Sequence, residues 1–320
     1  MIDMFGIKQP PEIIFGKNSV KEFNFPPNCL IITSKGAKSR GWIDYLDLEN
    51  YLLFDNVEPN PSIDTAEKII SEFKSKTFSY VIGLGGGSSL DVAKYVGKEL
   101  KKSKILIPTT FGSGSEVTKI SVLNVNGKKQ SFHDDALIGD IAIVDSNFIK
   151  NTPIDIIKNT AIDACAQCSE AYDSKINNYY TKFLCETAFN HLEFALLNNN
   201  FEDLPYGSLI TGLGFGNSST TLGHALSYVF SNEGYSHGHA LAFTTTIAHE
   251  FNKSKFYNRF KKIVKKLDFE SIQLQENYDD AAELILNDKK HLDNNPVSVS
   301  KSQIIKLLEH LNSKQFYDHF

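Results

Sequence analysis

The sequence predicts an α/β domain built on a parallel sheet, followed by a domain made only of helices. Three observations predict it. At 320 residues the chain is too long for one ordinary core and suits two domains of about 150 residues each. Its first half alternates short apolar runs with helical patterns, and strands separated by helices pair in parallel through crossovers. Beyond residue 150 only helical periodicity remains.

Taken in order, Leu30-Ile31-Ile32-Thr33 reads as a strand, Thr65 to Phe73 as a helix, and Tyr80 to Leu84 as a second strand. A glycine turn leads into a helix over Asp91 to Leu100, and strand-like Ile105 to Pro108 and Ile141 to Val144 follow. Helices are then predicted over Pro153–Tyr172, Asn178–Leu197, Ser208–Phe230 and Ala240–Asn252. Three more are predicted over Ser254–Leu267, Tyr278–Leu286 and Ser300–Leu311. The pattern changes near Asp145 to Asn151, which divides the chain into a nucleotide-binding domain, 1–150, and a helical domain, 151–320. A cleft between two such halves is the expected place for a cofactor and a substrate.

Composition narrows the function. A hydrophobic content of 41% with 22% charged residues is that of a globular chain. The net charge of −5 supplies no field for nucleic acid or an anionic membrane, so neither is an expected partner. The basic run Lys261 to Lys266 alternates with Phe260, Ile263, Val264 and Leu267 at helical spacing, and reads as a solvated helix face. No apolar run reaches the ~20 residues of a spanning helix, and Met1 to Gly6 lacks the pattern of a secretory signal. Four cysteines in so long a chain are no disulfide framework, and a reducing cytoplasm is the expected setting.

Two turns carry binding chemistry. Gly83-Leu84-Gly85-Gly86-Gly87-Ser88-Ser89-Leu90-Asp91 lies between a strand and a helix. Glycines there let the backbone approach a ligand, and the helix start offers unpaired N–H groups to a pyrophosphate, with Ser88 as a further donor. The spacing is not that of Gly-x-Gly-x-x-Gly. Pro108-Thr109-Thr110-Phe111-Gly112-Ser113-Gly114-Ser115-Glu116 follows another strand, and reads equally as a second nucleotide contact or a structural turn.

A third group suits a metal. Asp163 and Gln167 stand four apart on one face of a predicted helix. Three of the nine histidines, His224, His237 and His239, fall within sixteen residues, beside glycines. A carboxylate with imidazoles suits Fe²⁺ or Zn²⁺, and an open position would let the ion polarise a carbonyl. Cys165-Ala166-Gln167-Cys168 has redox spacing, but the segment before it is helical, so two small buried residues are expected.

Together these segments resemble the iron-containing, or group III, alcohol dehydrogenase family in order along nearly the whole chain. Ile14-Phe15-Gly16 is similar to the family's opening strand. Gly85 to Ser88 with Asp91 and Lys94 is similar to its pyrophosphate motif, and Pro108 to Glu116 to its second nucleotide motif. Asp163-Ala164 with Glu170-Ala171 resembles the helix carrying its first two metal ligands, and His224 with His237-Gly238 the last two. The resemblance implies a Rossmann-like N-terminal domain, an all-α C-terminal domain of the dehydroquinate-synthase-like architecture, and NAD(P)-linked dehydrogenase chemistry in a homo-oligomer, a dimer. It implies cofactor contacts at Gly85, Gly86, Gly87, Ser88, Asp91, Thr109, Thr110, Ser113 and Ser115, and a metal held by Asp163, Gln167, His224 and His237.

Three positions depart from the family pattern. Gln167 replaces a histidine, and an amide oxygen is a weaker donor than imidazole. Tyr228 replaces a second histidine, and with His239 it is the candidate proton relay; His239 is also an alternative ligand to His237. Ser34, followed by Lys35, replaces the acidic residue that holds the adenosine ribose. Losing that carboxylate removes repulsion of a 2′-phosphate that Lys35, Lys38 or Arg40 can pair with, so NADPH is favoured over NADH. The Gln167 and Ser227-Tyr228 variations are most similar to the branch reducing phosphonoacetaldehyde to 2-hydroxyethylphosphonate, with reducers of succinic semialdehyde to 4-hydroxybutyrate close by. Two alternatives stay open: a dehydroquinate-synthase-type lyase, and a nucleotide-binding protein whose metal site is lost.

Overall fold

In the computed structural model, residues 4–318 are described, and Met1 to Asp3, part of the segment read above for a leader, lie outside them. The chain divides into two compact units, Met1–Pro153 and Ile154–Phe320.

The first unit runs β1 (Glu12–Phe15), α1 (Ser19–Glu22), β2 (Cys29–Ile32), α2 (Lys35–Ser39), α3 (Trp42–Tyr45) and β3 (Tyr51–Phe54). It continues with α4 (Ile63–Phe73), β4 (Tyr80–Gly85), α5 (Gly87–Glu99), β5 (Ser103–Pro108), β6 (Ile120–Val125), β7 (Lys128–His133) and β8 (Ile141–Val144). Six strands form one parallel sheet in the order β1-β8-β5-β4-β2-β3. The central strands are apolar throughout, as β2 (Cys-Leu-Ile-Ile, all buried) illustrates, because helices cover both faces of such a sheet. Leu30, Ile32, Val81, Leu90, Val96 and Leu106 share one core with Ile69 and Phe73 of α4. Ser62 starts α4 by accepting the Thr65 N–H at 3.2 Å.

The sequence reading missed β3 and the separate β6–β7 hairpin. The hairpin does carry a local signal, Asn126-Gly127, whose φ values of 52° and 77° are those of a tight turn between antiparallel strands. α5 begins at Gly87, four residues before the predicted start, so the glycine turn is itself the helix N-terminus.

The second unit contains no strand among its described residues. It comprises α6 (Ile154–Asp173), α7 (Tyr179–Leu197), α8 (Leu204–Phe215), α9 (Leu222–Asn232), α10 (His237–Asn252) and α11 (Tyr257–Leu267). α12 (Tyr278–Leu286), α13 (Lys289–Asn294), α14 (Lys301–Leu311) and α15 (Lys314–Asp318) complete it. Phe260, Ile263, Val264 and Leu267 form the buried face of α11. The predicted helix Ser208–Phe230 is two helices: Gly216-Asn217-Ser218-Ser219 interrupts it, each residue favouring turns over helix interiors. The interruption frees the N–H groups that open α9, and their partner lies on α6. Among the described residues no helix is long and apolar enough to cross a membrane.

Candidate functional site

In the first unit the strand order reverses between β2 and β4, and ligands of open parallel sheets bind beyond the strand C-termini at such a reversal. All three predicted nucleotide segments follow neighbouring strands there: Ser34 and Lys35 follow β2, Gly85 to Ser88 follow β4, and Thr109 and Thr110 follow β5. Thr33 donates its hydroxyl to the Leu84 carbonyl at 2.6 Å, joining two of these ends. Gly85 has φ +149°, which glycine adopts freely. A Cβ on Gly86 would lie 2.9 Å from Thr110 Oγ1, and one on Gly87 3.1 Å from the Ser113 side chain, so the two turns meet closely. No side chain caps α5, leaving its first N–H groups to a ligand or solvent. The Thr109 hydroxyl is buried with no hydrogen-bond partner.

Asp91 and Ser115 do not point outward to a cofactor. The Ser115 hydroxyl donates to Asp91 Oδ1 at 2.6 Å, and Asp91 Oδ2 accepts the Val122 N–H at 3.0 Å. Lys94 is fully buried, 3.1 Å from Asp91, and donates to the carbonyls of Ser115 (2.9 Å) and Ile120. These three side chains brace the second turn against α5. Burial lowers the Lys94 pKa against the pull of Asp91, and burial raises that of nearby Glu116 to about 7. Near β2, Ser34 caps α2 by accepting the Ala37 N–H at 3.3 Å. Lys38 pairs with Asp55 at 2.5 Å and Arg40 lies 5.0 Å from the Trp42 ring centre, so both have partners of their own.

The second unit gathers the other candidates. Asn159, Asp163, Gln167 and Glu170 are spaced by four, four and three, forming one polar stripe along α6. Against it stand the starts of α9 and α10. Donor atoms of Asp163, His224 and His237 all lie within 4.8 Å of one another. His224 Nε2 is 3.6 Å and His237 Nε2 3.9 Å from Asp163 Oδ1.

Glycines explain this convergence. A Cβ on Gly238 would sit 2.0 Å from the Asn159 carbonyl oxygen, so α10 can begin against α6 only with glycine there. Asn159 Oδ1 also accepts the His239 N–H at 3.0 Å and the Ser236 hydroxyl. A Cβ on Gly223 would sit 2.4 Å from Glu170 Oε1. In its absence the buried Glu170 carboxylate accepts the N–H of Gly223 at 2.5 Å and of Thr221 at 3.0 Å, and meets His224 Nδ1 at 2.6 Å. Burial would raise the Glu170 pKa, but the His224 ring and these donors hold it at about 2. Burial likewise opposes charge on His224, and the Glu170 and Asp163 carboxylates outweigh it, raising that ring to about 9.

These residues fit a divalent cation. Nδ1 of His224 is committed to Glu170, which presents Nε2 toward Asp163. Gln167 Nε2 donates to Asp163 Oδ1 at 2.9 Å, while its Oε1 is buried without a hydrogen-bond partner. The Gln167 amide nitrogen thus faces Asp163, and its oxygen is a buried acceptor still to be satisfied.

His239 does not join the cluster, contrary to the expectation that it relays protons or replaces His237. Its Nε2 lies 2.5 Å from the Glu270 carbonyl and its ring stacks on Phe269 at 5.2 Å. His237 opens α10, and two residues further along a helix point to nearly the opposite side. Tyr228 does lie beside the cluster, its ring stacked on His237 at 6.3 Å, and burial raises its pKa so that it keeps its proton.

The sequence reading missed His291. Its buried ring stacks on His224 at 6.0 Å and approaches Tyr228 at 5.8 Å, while His224 and His237 are 5.5 Å apart; four rings therefore form a closed circuit. Asp288 Oδ2 holds its Nδ1 at 2.6 Å. The one local signal is Asp288 three residues earlier, an ordinary helix cap, which says nothing about nearness to His224. Cys165, Cys168 and Cys185 are buried free thiols whose pKa values burial raises, in line with packing residues.

Known proteins resemble this chain along both units. A family profile described as "Iron-containing alcohol dehydrogenase" matches residues 10–146, and one described as "Fe-containing alcohol dehydrogenase family, C-terminal" matches 157–287. Long-chain-alcohol dehydrogenase 1 of Geobacillus thermodenitrificans is 33% identical over 236 residues, 63% of this chain and 60% of that protein. 4-Hydroxybutyrate dehydrogenase of Clostridium kluyveri is 32% identical over 209 residues, 56% of each. The matched region thus spans less than two thirds of either relative's length. The crystal structure of an iron-containing alcohol dehydrogenase from Thermotoga maritima superposes with a TM-score of 0.87 at 23% identity, over 97% of this chain and 99% of that one, a likeness of fold. With one family's profiles matched in order across both units, the chain belongs to the iron-containing alcohol dehydrogenase family.

Proposed function

We propose that this chain is a metal-dependent, NAD(P)-linked alcohol dehydrogenase that interconverts a short aldehyde and its alcohol. The observation that carries the reading is the meeting of Asp163, His224 and His237 from three helices. A divalent ion, Fe²⁺ or Zn²⁺, bound there supplies Lewis acidity toward a carbonyl or alkoxide oxygen. Asp163, His224 and His237 would hold it, and Gln167 is the fourth donor: turning its amide over exchanges N–H for oxygen, 2.9 Å from Asp163. Tyr228, protonated beside His237, is the candidate donor of a proton to the product oxygen. Gly85, Gly86, Gly87 and Ser88 would take the pyrophosphate of the dinucleotide on the start of α5, with Thr109, Thr110 and Ser113 beside it.

The finer reading is an aldehyde with an anionic tail, succinic semialdehyde or phosphonoacetaldehyde, and NADPH as reductant. A relative named for 4-hydroxybutyrate supports the first substrate. Ser34 and Lys35 at the end of β2 support NADPH, since no carboxylate stands at that position to repel a 2′-phosphate.

The test is oxidation of NADPH and NADH by chelator-stripped protein, with and without added Fe²⁺ or Zn²⁺, against these aldehydes, propanal and a long-chain aldehyde. Metal-restored turnover is expected, fastest with an anionic aldehyde and with a lower KM for NADPH. His224→Ala should weaken metal binding by several kcal/mol, roughly a thousandfold, and abolish turnover with the circular dichroism unchanged. Undiminished turnover in stripped protein or in His224→Ala would refute the metal-dependent reading.

A further inference from the structure

We infer that Glu170 is a positioning residue for the metal centre: it fixes the orientation and tautomer of His224 and thereby sets the affinity for the ion. The inference rests on the metal-binding reading above. Glu170 lies at the deep end of the α6 stripe, 1% exposed, three residues beyond Gln167. Its carboxylate meets three donors, all from the start of α9: the N–H groups of Thr221 and Gly223 and Nδ1 of His224. Two consequences follow.

A carboxylate has no proton to give, so the nitrogen it meets at 2.6 Å must carry one. Nδ1 therefore bears hydrogen, which leaves Nε2, the nitrogen facing Asp163, as the one that can give up its proton and offer its lone pair to a metal. Without Glu170 the neutral ring is free to choose either tautomer. The second consequence concerns place. The same carboxylate binds the backbone at residues 221 and 223, so ring and helix start are pinned to α6 as one piece. Gly223 is part of that device, because a Cβ would overlap the carboxylate. Asp163 and Glu170 thus divide the work on a single helix, one facing Nε2 and the other facing Nδ1 of the same imidazole.

Glu170→Gln separates these roles. The amide keeps the size of the side chain but turns one acceptor into an NH₂ group, and every direction the carboxylate serves holds an N–H donor. If the NH₂ faces His224, it demands a bare Nδ1, and the ring must carry its hydrogen on Nε2.

The experiment is Co²⁺ titration of chelator-stripped protein, followed by visible absorption, for wild type, Glu170→Gln, His224→Ala and the double variant. Removal of such a partner costs about ten- to a hundredfold in metal affinity. We expect that loss in the wild-type background and less than about threefold in the His224→Ala background, because a residue acting through His224 has nothing left to act on. A purely structural role would weaken binding equally in both backgrounds, and that result overturns the inference, as does unchanged affinity in Glu170→Gln. Should Glu170→Gln fail to fold, Glu170→Asp, which keeps the charge but shortens the reach, enters the same cycle with the same expectation. A wild-type protein that takes up no Co²⁺ overturns the metal reading and the inference together; a wild type that binds it while both Glu170 variants bind equally well overturns the inference alone.

Discussion

In the sheet unit, the groups that meet at the strand C-termini are largely backbone: the glycines after β4, the uncapped start of α5, and hydroxyls after β5. In the helical unit they are side chains, drawn from α6, α9 and α10. The glycines differ accordingly. Cβ atoms on Gly85, Gly86 and Gly87 would meet small hydroxyl side chains, whereas one on Gly223 would meet the Glu170 carboxylate and one on Gly238 the backbone of Asn159, where two helix starts close on α6. A backbone site is written in consecutive residues and tolerates modest side-chain change around it. A side-chain site depends on how closely whole helices approach, so its weakest points include glycines that supply no donor atom themselves.

That contrast can be broken most severely at Gly238. In Gly238→Ala the new Cβ would meet backbone of Asn159 at 2.0 Å, which cannot turn aside as a side chain would. A loss of about 3 kcal/mol or more is expected, read as a fall of roughly 10 °C in Tm, with weaker Co²⁺ binding in the protein that remains folded. A Tm within about 2 °C of wild type would show that the approach of α10 to α6 is looser than the structure has it.

Gly85→Ala should give a smaller and different effect. Here φ is +149° and the obstacles are Ser89 Oγ at 2.7 Å, which can rotate, and Ser89 Cβ at 2.8 Å, which yields only by a small shift of the first turn of α5. A cost of about 1–2 kcal/mol is expected, with a raised KM for NAD(P)H and an unchanged Kd for Co²⁺. Loss of Co²⁺ affinity in this variant would dissolve the distinction between the two sites.

The mildest test is pH, to which the units should respond oppositely. Burial raises Glu116 in the sheet unit from 4.5 to about 7, so the folded form holds a proton that the unfolded chain has released. Its contribution is present below pH 4.5 and is lost as pH rises toward 7. Burial lowers His249 in the helical unit from 6.5 to about 4, so its contribution is present above pH 6.5 and is lost as pH falls toward 4. Glu116→Gln should therefore gain Tm relative to wild type at pH 8 more than at pH 5. His249→Gln, which also loses the 2.8 Å contact with Ser169, should be less stable near neutrality but decline less between pH 7 and pH 5. Parallel shifts at both pH values would sink the assignment for that residue.

Much of this was legible in the residues. The apolar runs of β2, β4, β5 and β8 and the periodicity of α4, α7 and α11 declare themselves because burial repeats at fixed local intervals. β3 is only four residues among polar neighbours, and the helix break at 216–221 is masked because apolar residues, Phe215 and Leu222, flank it on both sides. Spacing alone set Asp163 and Gln167 beside three histidines near glycines as a metal group; the resemblance to a known family singled out His224 and His237 among those histidines.

By itself, the sequence determined the alternation of strands and helices, the glycine turn and the carboxylate of α6, since each is a matter of neighbours within one or two turns of chain. Only the tertiary structure decided which imidazoles meet. His237 faces Asp163 while His239, two residues on, turns to Glu270, and His291 arrives from a helix far along the chain to stack on His224. Rotation about a helix separates close neighbours, and packing joins distant ones through contacts that no local period encodes.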